Sequence, residues 1–336
     1  MNLGHTPEMN MPSEATAEDE VLMAPDTSLP FVELFFPLGF PLRVETNHPE
    51  VLEVARRSWG ESTQRYSDDP LLIAIEVDDG HREPREYQPE CQVIEGVLTI
   101  AFDEGNDVVV DLEHGIARGR LHHSLIGAKA SLQYYVLEAA ALSMISTLRA
   151  VALHAACVDW RGSGILLCGE SGAGKTSLAY ACARAGWSYL SDDASYLLLK
   201  GPGRVVTGNC QQIRFRSVAS RLFPELEGRE ITPRVAGKPS IELATSELGN
   251  IRCIGSTNIE NIVFINRDPS HAPGLCPMAK ELALEYFTKF LLCPSDSNSP
   301  VRSALDRLAD ARIFELRFTQ FDSAIDRMRE LVEGKW

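Results

Sequence analysis

Leu153 to Lys200 reads LHAACVDWRGSGILLCGESGAGKTSLAYACARAGWSYLSDDASYLLLK. Within it, GESGAGKT at positions 169–176 satisfies G-x-x-x-x-G-K-[ST], the spacing of a phosphate-binding loop. The apolar run Ile165–Cys168 predicts a strand leading in. Leu178, Ala181, Cys182 and Ala185 at helical spacing predict a helix leading out, stopped by Gly186. Glycine lets the backbone curl so that successive N–H groups point inward, and the helix N-terminus adds partial positive charge. The pattern predicts a nucleotide site built from Gly169, Glu170, Ser171, Gly172, Ala173, Gly174, Lys175, Thr176 and Ser177. Lys175 would reach the β- and γ-phosphates, and the Thr176 hydroxyl would hold Mg²⁺.

Two neighbours narrow this reading. The adjacent carboxylates Asp192 and Asp193 close the apolar segment Trp187–Leu190, 17 residues after Lys175. Upstream, His154–Trp160 has strand composition and turns at Arg161-Gly-Ser-Gly164 into the loop's own strand, which predicts a β-hairpin. An Asp pair supplies what phosphoryl transfer to a hydroxyl requires: one carboxylate to take the acceptor's proton, the other to hold the metal. Adjacent carboxylates couple electrostatically, so the spacing alone does not divide the two roles. No N-K-x-D base-reading loop of a GTP switch is present, nor the signature loops and basic tracks of transport ATPases and helicases. His154, read by itself, is a strand-start residue satisfied by a backbone carbonyl. Arg214 and Arg216 alternate along a strand and share a face, open to phosphate or to solvent.

The 336 residues, 44% hydrophobic, suffice for a large core and two domains. A net charge of −15 without any basic block argues against nucleic acid or anionic membrane as partner. The eight cysteines form no C-x-x-C pair, and the N-terminus lacks a basic n-region and an apolar h-region, so a reducing cytoplasm is expected. The longest apolar stretch, Val136–Leu148, is too short for a membrane span.

Residues 1–30 carry six acidic residues and no Lys or Arg, predicting a disordered acidic tail. Residues 31–127 read as a β-rich α+β domain. Strands are expected at 31–36, 71–77, 92–102 and 107–112, a helix at 47–58, and turns at Asp78–Gly80 and Asp103–Gly105. Residues 128–150 predict a helix that packs against the phosphate-loop domain and joins the halves, with Leu132, Val136, Ala140, Met144 and Leu148 on one face. His122-His123 reads as a solvated pair rather than metal ligands, because adjacent side chains diverge. Arg234–Pro239 reads as a loop whose cations either close over phosphates or face solvent. Residues 151–336 form the expected catalytic domain, ending in helices at 278–291 and 300–309, a strand at 313–318 and a helix at 324–332.

A β-hairpin feeding a phosphate loop, His154 at its start and the nearby Asp192–Asp193 pair together resemble the catalytic domain of bacterial HPr kinase/phosphorylase, a fold relative of phosphoenolpyruvate carboxykinase. The resemblance covers about residues 150–335. It implies a mixed-sheet α/β P-loop kinase with ATP and Mg²⁺ as cofactors. Asp192 would be the base, His154 and Lys175 catalytic, and Thr176 and Asp193 the metal ligands. The glycine-rich signature that follows the Asp pair in true HPr kinases opens with Glu. Its best match here is Gln212-Ile-Arg-Phe215, and the chain looks more like the divergent HPr-kinase-related kinases, some of which phosphorylate a Ser on a ribosomal peptide. The expected partner is therefore a protein or peptide acceptor, with homo-oligomerisation left open. A small-molecule hydroxyl kinase and a non-catalytic nucleotide sensor are the alternatives.

Overall fold

The computed structural model describes residues 29–78, 88–231, 239–267, 270, 272–289 and 299–335. The expected tail over 1–30, the turn at Asp78–Gly80 and the loop Arg234–Pro239 lie outside these residues, apart from their end positions. The chain is a mixed α/β protein with two large sheets and a small one.

The first sheet contains β1 (Phe31–Phe35), β2 (Leu42–Thr46), β3 (Leu71–Asp78), β4 (Glu90–Ile94), β5 (Val97–Asp103), β6 (Asn106–Asp111) and β7 (Ile116–His122), in the order 1-2-3-7-6-5-4. Helix α1 (Pro49–Trp59) carries the chain from β2 to its parallel neighbour β3. It starts on proline, whose missing N–H costs nothing at a helix start, and buries Val51, Val54 and Ala55. The stretch 92–102, expected as one strand, is a hairpin. Glu95 and Gly96 both take positive φ, as a two-residue type I′ turn requires, and fold β4 onto β5.

The predicted 128–150 helix is present as one uninterrupted helix over 129–148, whose stretch Leu132–Glu138 is π-helical before it continues as α2 (Ala139–Leu148). Leu132, Val136, Ala140 and Met144 enter a core they share with Ile73, Ile75 and Val108 of the first sheet and with Ala150, Ala152 and Tyr196 from the phosphate-loop half, so the helix packs between the two. The His122-His123 side chains diverge, but His122 is buried rather than solvated: its main-chain N–H donates to Asn106 Oδ1 and its ring meets the Glu104 carbonyl. Exposed His123 sets its edge against His48.

The second sheet follows with β8 (Ala150–Leu153), β9 (Ala156–Trp160), β10 (Ser163–Cys168), helix α3 (Lys175–Arg184), β11 (Ser188–Ser191), β12 (Ser195–Leu198) and β13 (Val205–Gly208). After them, β14 (Gln212–Phe215) and β15 (Ile241–Ala244) pair as a two-stranded ribbon. Then β16 (Arg252–Cys253), β17 (Ser256–Asn266), β18 (Gly274–Pro277), α4 (Lys280–Lys289), α5 (Ser299–Leu308), β19 (Arg312–Arg317) and α6 (Phe321–Val332) complete the fold. The path runs 16-11-9-10-17-13-12-8, with β19 beside β17 and β18 beside β19.

Strand β10 sits centrally and is buried on both faces. Ile165 and Leu167 join Leu178, Trp187 and Phe314 on one side, whereas Leu166 and Cys168 join Ile262, Phe287 and Leu305 on the other. The period-2 side-chain alternation accounts for this division and for an apolar run without polar interruption. Likewise β8 sends Ala150 and Ala152 into the first sheet's core and Val151 and Leu153 into the second's. One short strand thus fastens the two halves.

Candidate functional site

The hairpin that feeds the loop is present. β9 and β10 pair antiparallel through a turn at Arg161 and Gly162, both at positive φ. From the end of β10 the chain passes Gly169–Gly174 and enters α3 at Lys175. Gly172 and Gly174 have φ of +90° and +102°, where a side chain would strain the backbone although little crowds either Cβ position. Leu178 N–H already closes the first helical turn onto the Gly174 carbonyl.

Lys175 is 6% exposed. Its ammonium donates to the Gly169 carbonyl at 2.7 Å and to His154 Nε2 at 3.0 Å, with the Glu170 carbonyl 3.3 Å away. Burial lowers its pKa, partly offset by the Asp193 carboxylate. On the far side of the imidazole, Nδ1 lies 3.3 Å from Asp193 Oδ1. Burial first, then Lys175, lowers the His154 pKa, which favours a neutral ring. A neutral ring accepting from Lys175 at Nε2 carries its proton on Nδ1, directed to Asp193. His154 therefore links the lysine and the second carboxylate.

The Asp pair diverges. Asp193 has a side chain 65% exposed. Asp192 is 8% exposed, and its Oδ2 accepts the main-chain N–H of Arg214 at 2.8 Å. Burial pushes its carboxyl up to about 6, with Asp193 adding to the rise and Arg214 opposing it. The Thr176 hydroxyl is 3.4 Å from the Asp192 carbonyl, so the loop and the pair are in contact.

Two clefts meet here. One, of about 260 Å³, is lined by Ser171, Gly172, Gly174, Lys175, Thr176 and Ser177 of the loop. Asp193, Arg214, Arg216 and Arg267 also face it. The other, of about 290 Å³, is lined by Asp192 and lies between the two halves of the chain. Asp193 and Arg214 line both. The predicted residues His154, Lys175, Thr176 and Asp193 are thus gathered at the first cleft, while Asp192 faces the second. One ammonium, three guanidiniums, a glycine-curled backbone and a helix N-terminus suit polyphosphate, and Asp193 with the Thr176 hydroxyl suits a hard divalent cation.

No protein-family model and no curated protein matches this chain. Among solved structures, the HPr(Ser) kinase/phosphatase from Coxiella burnetii aligns with a TM-score of 0.29 and 12% identity, over 55% of this chain and 98% of that one. A likeness this slight assigns nothing.

Sequence reasoning missed several members of the site. Arg267 follows the end of β17 and stacks over Phe318 and Phe321 while facing the loop. Tyr286 of α4 accepts the Gly169 N–H at 2.9 Å and donates to the Gly169 carbonyl at 2.8 Å, bracing the loop's first residue. Arg214 lies 3.6 Å from Glu242 Oε1 and over the Tyr134 ring. Arg267 and Tyr286 have no local motif, whereas Arg214 was singled out with Arg216. Only the alternation of Arg214 and Arg216 gave a signal, and both do reach the first cleft.

Proposed function

We propose that the chain is an ATP- and Mg²⁺-dependent kinase that phosphorylates a hydroxyl, a Ser of a protein or peptide acceptor. The observation that carries this reading is the position of Asp193 and Arg214, which line both the phosphate-loop cleft and its neighbour. A donor phosphate on one side and an acceptor hydroxyl on the other would meet at these two residues.

In this reading the loop N–H groups, Lys175, Arg216 and Arg267 hold the phosphates, and Thr176 and Asp193 hold the metal. ATP supplies the γ-phosphoryl group, and Mg²⁺ offsets its charge. Asp192 takes the proton of the acceptor hydroxyl. Its pKa of about 6 suits this task, since a base works best near the operating pH. The acceptor oxygen forms the new bond to phosphorus as the bond to the β-phosphate oxygen breaks, and ADP leaves with that electron pair. Arg214 steadies Asp192 through its N–H and meets developing negative charge with its guanidinium. His154 keeps Asp193 and Lys175 in register.

The division of labour proposed is a catalytic part over 151–336, joined by the 128–150 helical stretch to an acceptor-selecting part over 31–127. The eight cysteines form no C-x-x-C pair, and the seven among the described residues are free thiols, which supports a reducing compartment, the cytoplasm. Among the described residues no helix is long and apolar enough to cross a membrane. The test is transfer of labelled γ-phosphate to Ser peptides by wild type and Asp192→Asn, alongside nucleotide binding. Transfer should fall about 10²–10⁴-fold with binding retained. Transfer at the wild-type rate would rule out the mechanism.

A further inference from the structure

The second cleft has a charge pattern that the phosphate site does not explain. Four carboxylates face it, Glu61, Glu138, Asp192 and Asp193, against two guanidiniums, Arg65 and Arg214. Both guanidiniums are engaged by the protein: Arg214 by Glu242, and Arg65 by a 3.2 Å hydrogen bond from Nη2 to Thr207 Oγ1. Arg65 is also wedged against the backbone at Gly255, where a Cβ would stand 2.2 Å from its guanidinium.

Glu138 is different. It is half-buried, and its Oε1 accepts from two neutral donors, Ser58 Oγ and Gln133 Nε2, both at 3.0 Å. Among the described residues neither Glu138 nor Glu61 has an ion-pair partner. Removing a carboxylate from water without an opposing charge is costly, and a cation arriving in the cleft would offset that cost. Glu138 is also the last residue of the π-helical stretch, a departure from regular helix often found at functional sites. Beside it, Trp59 and Leu142 supply apolar wall. At about 290 Å³ the cleft lies at the small end of ligand sites.

We infer that this cleft binds the acceptor, and that the acceptor carries an amine or guanidinium close to the hydroxyl it presents to Asp192. This inference rests on the kinase reading and specifies its substrate. The cation would be met by Glu138 and Glu61. The same chemistry is offered by a Ser next to Lys or Arg in a peptide and by a free amino alcohol.

The experiment uses the full chain with Mg²⁺ and γ-labelled ATP. One arm offers a library of capped tripeptides Xaa-Ser-Zaa, whose phosphorylated products are sequenced by mass spectrometry. The other offers ethanolamine against ethylene glycol. Products with Lys or Arg beside Ser should exceed those with Asp, Glu or Gln at least about tenfold, or ethanolamine should exceed ethylene glycol by as much; the arm that responds identifies the source. Glu138→Gln and exposed Glu61→Gln should each raise KM for the favoured acceptor and reduce its preference over the neutral one. Transfer indifferent to acceptor charge would overturn the inference. So would a preference unchanged in both variants, or no product in either arm from protein that binds an ATP analogue. Failure to bind the analogue at all would sink the kinase reading instead, and this inference with it.

Discussion

The main-chain N–H of Arg214 donates to Asp192 Oδ2 at 2.8 Å, so the buried carboxylate of the pair is held by the edge of the β14–β15 ribbon. That bond favours the charged form, yet burial outweighs it and pushes the Asp192 carboxyl up to about 6 from an ordinary value of 3.8. The balance has two measurable consequences.

One is stability. A carboxyl whose pKa is higher folded than unfolded retains a proton that the unfolded chain releases between about pH 4 and 6. Its contribution is therefore favourable below that window and lost as pH rises through it. Asp192→Asn lacks this dependence. It should be more stable than wild type at pH 8 by about 2–3 kcal/mol, with the gap closing towards pH 4. Melting curves at both pH values check this. A variant that melts below wild type at pH 8 would contradict it.

The other is the rate profile. Asp192 must be ionised to accept a proton, so kcat for phosphate transfer should decline as pH falls through about 6. The profile is read from initial rates between pH 5 and 8. A flat profile would remove Asp192 from the proton-accepting role.

His154 spans Lys175 and Asp193, and its removal should be felt at both ends. His154→Ala should weaken binding of a Mg²⁺–ATP analogue by roughly tenfold, as expected when a hydrogen bond to a charged group worth about 1.5 kcal/mol is lost. Titration against the analogue gives the number. Unchanged affinity with unchanged transfer would return His154 to an ordinary strand-start residue.

The cysteines divide by environment. Coupling to the neighbouring Cys210 thiol lowers the exposed Cys253 below its ordinary value, whereas burial pushes Cys157, Cys168 and Cys182 well up. Limiting iodoacetamide at pH 7 should alkylate Cys253 ahead of exposed Cys91, whose thiol desolvation pushes upward. Peptide mapping after a short exposure reads the order. Equal labelling of the two would contradict the thiol pairing.

What was legible in the sequence was local. The strand, glycine loop and helix of 163–184 and the Asp pair lie within about thirty residues, and each follows from spacing and turn chemistry. The hairpin turn at Arg161–Gly162 was legible for the same reason. Strands β2 and β7 were not. β2, Leu-Arg-Val-Glu-Thr, is short and half polar, while β7 carries Gly119 in its interior. That glycine is set by packing: a Cβ there would stand 2.7 Å from Val108 Cγ2 and 3.0 Å from the Asp107 carbonyl. The helical stretch at 132–148 was legible in period, but the first sheet's share of its packing was not, since periodicity marks an apolar face without saying which strands cover it. Arg267, Glu138 and Arg65 reach the clefts, and Tyr286 reaches Gly169, from positions distant in sequence, brought there by the tertiary fold, which no short window contains.

The nucleotide site underlies every step proposed, and Lys175 is its least replaceable part. Calorimetric titration of wild type and Lys175→Ala with a non-hydrolysable ATP analogue and Mg²⁺ tests it directly. Loss of a charge-assisted contact worth about 1.5–3 kcal/mol predicts roughly ten- to hundredfold weaker binding in the variant. Equal affinity in the two proteins would contradict the account.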